Sequence, residues 1–127
     1  MNLGKRYEAY IACLNAHHLD RLGDFVHEKV TYNGSAIGLN GYRQMLASNY
    51  QDIPGLQFHI ELLVADSSTV ASRLKFDCRP VGEFLGYAIN GRHVIFYENV
   101  FYRFVNDQIA EVWSLIDVKA IEWQIEN

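Results

Sequence analysis

The stretch RHVIFYENVFYRFVNDQIAEVWSLID, residues 92–117, limits the fold more than any other part of the chain. β-Branched and aromatic residues fill two arms, roughly 92–105 and 108–117, joined by the polar link Val105-Asn106-Asp107-Gln108. Such arms with a short Asn/Asp-containing connection predict a β-hairpin. Side chains alternate between the two faces of a strand. One face of the first arm therefore carries Val94, Phe96, Glu98, Val100, Tyr102 and Phe104. The matching face of the second carries Ala110, Val112, Ser114 and Ile116. Glu98 is the one carboxylate among these apolar side chains, and an acid so placed has either a partner or a chemical role.

The elements before the hairpin determine what that face encloses. Residues 2–16 read as an amphipathic helix with Leu3, Tyr7, Tyr10, Ile11 and Leu14 on one side, a pattern that Glu8 makes unlike a signal peptide. A second short helix is expected over 19–27, a short strand at Val30-Thr31-Tyr32, and a third helix over 41–50 with Asn40 as its N-cap. Strands follow at 57–65 and 69–79, then a loop containing Gly82 and Gly86, and the tight-turn pair Asn90-Gly91. In the second of these strands Phe76 lies on the apolar side, and Asp117 reads as the N-cap of a closing helix over 118–125. Helices first and antiparallel strands afterwards make an α+β pattern. The expected architecture is a single domain over 1–127, a curved antiparallel sheet wrapped around the N-terminal helices to form a cone.

A chain of 127 residues can bury a core without disulfides or a structural metal. Its formal charge of −4 argues against nucleic acid as a partner. No apolar run approaches the ~18 residues of a membrane helix, so no membrane partner is expected and the cytoplasm is the default location. Cys13 and Cys78 have no zinc or redox spacing, and His17, His18, His27, His59 and His93 form no ligand constellation. No metal is expected. Seven Phe, eight Tyr and two Trp suit either a large core or a cavity for a flat organic ligand.

Three motifs stand out in order and spacing: Leu14-Asn15-Ala16-His17-His18-Leu19-Asp20, Phe84-Leu85-Gly86 followed by Asn90-Gly91-Arg92, and Ile109-Ala110-Glu111-Val112-Trp113 ending at Asp117. Together they resemble the SnoaL-like polyketide cyclases of the nuclear transport factor 2-like superfamily. The resemblance implies ring closure by intramolecular aldol condensation, with an Asp as acid/base on the last strand and no cofactor. It also implies a homodimer formed through the sheet. The chain departs from the family pattern at the reacting positions. Ser114 stands where the catalytic Asp is expected, Val100 where a pocket His is, and Glu98 where a pocket Gln is, while the pocket Asn survives as Asn33.

The residues then suggest an apolar pocket for a small apolar, aromatic or polyketide-like ligand. Glu98 is the candidate base, and Ser114 or Tyr102 the hydrogen-bond donor to a developing enolate oxygen. Asn33, Phe76, Phe96, Val100, Tyr102, Val112 and Ile116 are the candidate ligand-facing residues. An enzyme of this kind would be a polyketide- or ester-cyclase-like enzyme, or an isomerase. The alternative is a binding module that has lost the family's acid/base residues, with Glu98 a structural partner of an Arg or a backbone donor. Asn33 has a second reading as a turn residue, and Trp113, on the opposite face, either packs under a helix or forms a subunit interface.

Overall fold

The computed structural model describes residues 2–126. Helix α1 (Leu3–Asn15) opens the chain, with the Asn2 side chain accepting from Lys5 N (3.1 Å) as its cap. Its buried residues are Leu3, Tyr7, Tyr10, Ile11 and Leu14, the stripe expected from the sequence. A 3-10 segment (Leu19–Asp24) leads into strand β1 (Val26–Tyr32), and helix α2 (Gly38–Asp52) follows. Strands β2 (His59–Ala65) and β3 (Thr69–Cys78) form a hairpin. After β4 (Glu83–Phe84) and β5 (Tyr87–Ala88) come the long strands β6 (Val94–Val105) and β7 (Gln108–Ile116). Helix α3 (Val118–Glu126) ends the described chain.

The main sheet runs β1-β7-β6-β3-β2, antiparallel throughout except at one edge, where β1 pairs parallel to β7. Asn106 and Asp107 both take left-handed backbone (φ 49° and 62°), the geometry of a two-residue turn whose twist matches the strands it joins. Helices α1 and α2 pack against the curved sheet, and Val70, Leu74, Phe76, Phe96, Val100, Tyr102 and Val112 are buried beneath them. Phe101, Trp113 and Leu115, of opposite parity, are exposed. Asp117 caps α3 as expected, accepting from Ala120 N at 3.2 Å. No helix among the described residues is long and apolar enough to cross a membrane.

Three local expectations change. The helix expected over 19–27 stops at Asp24, because the chain from Phe25 onward is drawn into the sheet edge. Ile109 N donates to Phe25 O at 2.7 Å and Val26 pairs with Ile109, so the backbone groups a helix would need are taken by β7. The α2 helix begins at Gly38 rather than 41, and Asn40 is no cap: its Oδ1 accepts from Arg43 Nη1 at 2.9 Å within the first turn. The loop around Gly82 and Gly86 contains a small hairpin of its own, with Glu83 paired to Ala88 and Phe84 to Tyr87. Leu85 and Gly86 both have positive φ and close it as a two-residue turn.

Candidate active site

The register of β6 against β7 builds the site. Glu98 pairs with Ile116 and Val100 with Ser114, so Glu98 and Ser114 are diagonal neighbours on the inner face. The Ser114 hydroxyl donates a hydrogen bond to Glu98 Oε2. Ser114 is held in turn by Asn33, which has left-handed backbone (φ 48°) just beyond β1. Asn33 Oδ1 accepts from Ser114 N at 2.7 Å and Asn33 Nδ2 donates to Ser114 O at 3.2 Å.

Next to Glu98 lies a cavity of about 50 Å³. The sheet contributes Phe76, Phe96, Glu98 and Ile116 to its wall, α2 contributes Asn49, and the chain leaving α2 contributes Ile53, Leu56 and Phe58. Phe84, from the β4–β5 hairpin, completes the lining. Four phenylalanines form a chain of ring contacts here: ring centroids are 5.2 Å apart for Phe58 and Phe76, 5.0 Å for Phe76 and Phe96, and 5.7 Å for Phe84 and Phe96. Of the residues lining the cavity, Glu98 is the one that ionises.

Glu98 keeps a part of its surface accessible, yet its carboxylate is largely desolvated by the surrounding protein. Burial raises its pKa above the ordinary carboxylate value, and the Ser114 hydrogen bond opposes that rise in part. None of the ion pairs among the described residues includes Glu98, so the structural-partner reading finds no Arg here. Five phenols feel its charge: Tyr7, Tyr10, Tyr32, Tyr42 and Tyr102, all raised chiefly by burial. The Tyr32 hydroxyl lies beside that of Ser114, and Tyr7 is pushed up to about 12.

Glu98, Phe76, Phe96 and Ile116 line the cavity and Ser114 reaches it through Glu98, whereas Val100, Tyr102 and Val112 do not border it. They lie at the filled end of the cone, where Tyr102 packs 4.9 Å from Tyr7 and 5.9 Å from Tyr10, centroid to centroid. The hydroxyls there satisfy one another: Tyr7 Oη donates to Ser72 Oγ at 2.9 Å, and Tyr10 Oη and Tyr42 Oη are 2.7 Å apart. Asn33 meets the site through Ser114, its side-chain amide being engaged with the Ser114 backbone.

The cavity residues missed in the sequence are Asn49, Ile53, Leu56, Phe58 and Phe84. Asn49 and Ile53 continue the inner stripe of α2 begun by Tyr42 and Leu46, so the helical period held a signal for them. Phe84 had none, since it stands in a glycine-bounded segment without periodicity. Among the described residues, no group of three or more His, Cys, Asp or Glu side chains forms a metal-ligand set.

Comparison with known proteins follows the same lines. The chain is similar to a SnoaL-like polyketide cyclase from Agrobacterium tumefaciens at 46% identity and a TM-score of 0.97, covering 98% of each chain. It superposes on IdmH from Streptomyces antibioticus with a TM-score of 0.86 at 15% identity, covering 100% of each chain. TsrD from Streptomyces laurentii gives 0.83 at 20% identity, covering 95% of this chain and 92% of that one. At such low identity the last two speak for the fold alone. None of the curated proteins matches the sequence. The family model for SnoaL-like polyketide cyclases matches residues 5–125, and the chain thus belongs to that family.

Proposed function

We propose that this protein moves a proton beside a carbonyl in a small cyclic or polyketide-like ligand, as a cofactor-independent cyclase or isomerase with Glu98 as the base. The observation that carries this reading is a carboxylate without a cationic partner on the wall of an aromatic cavity, its pKa raised by burial. A base works best when its pKa approaches the working pH, and desolvation moves a glutamate that way. The Glu98 carboxylate takes a proton from the carbon next to the carbonyl, and the electron pair of that C–H bond moves onto the carbonyl oxygen. In an isomerisation the proton returns to another carbon of the same ligand. In an aldol closure the enolate carbon bonds to a second carbonyl carbon, whose oxygen takes the proton back from Glu98. Asn49, the other polar lining residue, offers an amide N–H for the enolate oxygen, while Ser114 holds the carboxylate.

Ligand pockets commonly measure about 300–1,000 Å³, far more than this cavity. The fit is therefore to the reacting end of a ligand, with the remainder at the mouth or admitted by movement of Phe84. A binding module without turnover is favoured by one feature, the lack of a second ionisable group on the cavity wall. Two unpaired cysteines suit a reducing, cytoplasmic setting. A homodimer through the outer sheet face fits the exposed row Val64, Phe101, Trp113 and its neighbours Leu62 and Leu115.

The test is α-proton exchange from small cyclic ketones and 1,3-dicarbonyls in D2O, followed by NMR. Glu98→Gln should retain the fold and lose about 10²–10⁴-fold in exchange rate. Exchange at the wild-type rate in that variant removes Glu98 as the base, and ligand binding without exchange in the wild type establishes the binding module.

A further inference from the structure

Ser114 lacks a backbone anchor in β6. Opposed residues of an antiparallel pair alternate between those that exchange hydrogen bonds and those that do not. Ser114 faces Val100, and its N–H and C=O are directed the other way, to Asn33 (2.7 and 3.2 Å). The main-chain pairing of β1 with β7 reaches Tyr32 and Val112 and goes no further. Asn33 adds the next rung with its side chain, an amide standing in for a peptide group, while its own N–H donates to Val112 O at 2.8 Å. Its left-handed backbone is a conformation that asparagine tolerates better than most residues, and it turns the side chain back along β7.

We propose that Asn33 is a positioning residue for Glu98: by clamping the Ser114 main chain it holds the Ser114 hydroxyl on the Glu98 carboxylate and orients that carboxylate toward the cavity. Its effect on turnover rests on the reading of Glu98 as the base, whereas its effect on the carboxylate does not. The groups facing Glu98 from the packed elements are Tyr7 and Tyr10 of α1, Tyr32 of β1, Tyr42 of α2 and Tyr102 of β6. These phenols are all neutral near pH 7, so the Ser114 hydroxyl is the hydrogen-bond donor that favours the charged carboxylate. A loosened Ser114 should leave desolvation unopposed and drive the Glu98 titration upward.

Protein carrying 13C at the glutamate carboxyl, titrated by NMR, reads this directly, with Glu98 assigned by its loss in Glu98→Gln. The informative variant is Asn33→Gly, which keeps the left-handed turn without strain and deletes the amide, and its 1H–15N spectrum reports whether the fold is retained. The Glu98 midpoint should rise in Asn33→Gly and in Ser114→Ala, and the double variant should add nothing to Ser114→Ala. A midpoint unmoved in Asn33→Gly while Ser114→Ala shifts it overturns the clamp. A midpoint unmoved in both overturns the whole linkage. If the midpoints shift as expected but the pH profile of exchange does not follow, the clamp stands and Glu98 is not the base.

Discussion

The Ser114 hydroxyl and the Glu98 carboxylate meet diagonally across β6 and β7, and this hydrogen bond opposes the effect of burial on Glu98. It exists because both residues have the same strand parity and their register differs by two. An acid one position along would point to the outer face, where Asn99 and Phe101 lie exposed.

Burial gives Glu98→Gln a signed pH dependence. The folded pKa lies above the ordinary value of 4.5 that the unfolded chain approximates, so folding favours the protonated form. That contribution to stability is complete below the unfolded pKa and is lost as pH rises through the folded one. The variant has no such loss. Thermal unfolding should show Glu98→Gln gaining on the wild type as pH rises from about 4.5 through the raised folded pKa of Glu98, while wild-type exchange activity rises as the carboxylate ionises. A stability difference independent of pH would show that Glu98 is not desolvated.

Tyr10 and Tyr42 share one buried hydroxyl–hydroxyl contact of 2.7 Å. Tyr42→Phe should cost about 1–3 kcal/mol, because the Tyr10 hydroxyl is left without that partner. Tyr10→Phe combined with Tyr42→Phe should cost less than the two single changes added together. Additive losses in denaturant unfolding would mean that the two hydroxyls do not depend on each other.

Phe84→Ala should enlarge the cavity and improve affinity for bulkier cyclic ligands in calorimetric titrations. The stability loss should fall below the ~3–5 kcal/mol of a core Phe→Ala change, since Phe84 sits on a two-residue ladder separate from the main sheet. Unchanged ligand size preference would mean that Phe84 does not limit the cavity.

On the outer face, Val64, Ala71, Phe101 and Trp113 occupy successive strands in register. Phe101→Glu with Trp113→Glu should leave stability nearly unchanged and convert a dimer to a monomer in sedimentation velocity. Wild-type protein that sediments as a monomer at high micromolar concentration rules the interface out.

The alternation along residues 94–104 and 112–116 was enough to place Glu98, Phe96, Ser114 and Ile116 on the inner face, because strand parity is a local property of the backbone. Near the turn a bulge breaks it in β7, so that Ile109 is buried where Ala110 was expected to point inward. Turn chemistry at Asn106-Asp107 and Asn90-Gly91, and the cap at Asp117, are equally local and equally legible. Tertiary structure alone decided which inward residues border space and which are covered. Val100, Tyr102 and Val112 have the same parity as Phe96, but Tyr7, Tyr10 and Tyr42 from α1 and α2 fill that end of the cone. The parallel edge strand was also invisible locally, since Val26 gains its strand partner from Ile109, some eighty residues later. So was the use of Asn33, whose two hydrogen bonds to Ser114 cross the same gap in sequence. Local steric preference determines the direction of a side chain, whereas the contacts it finds there depend on chain segments that only the folded topology brings within reach.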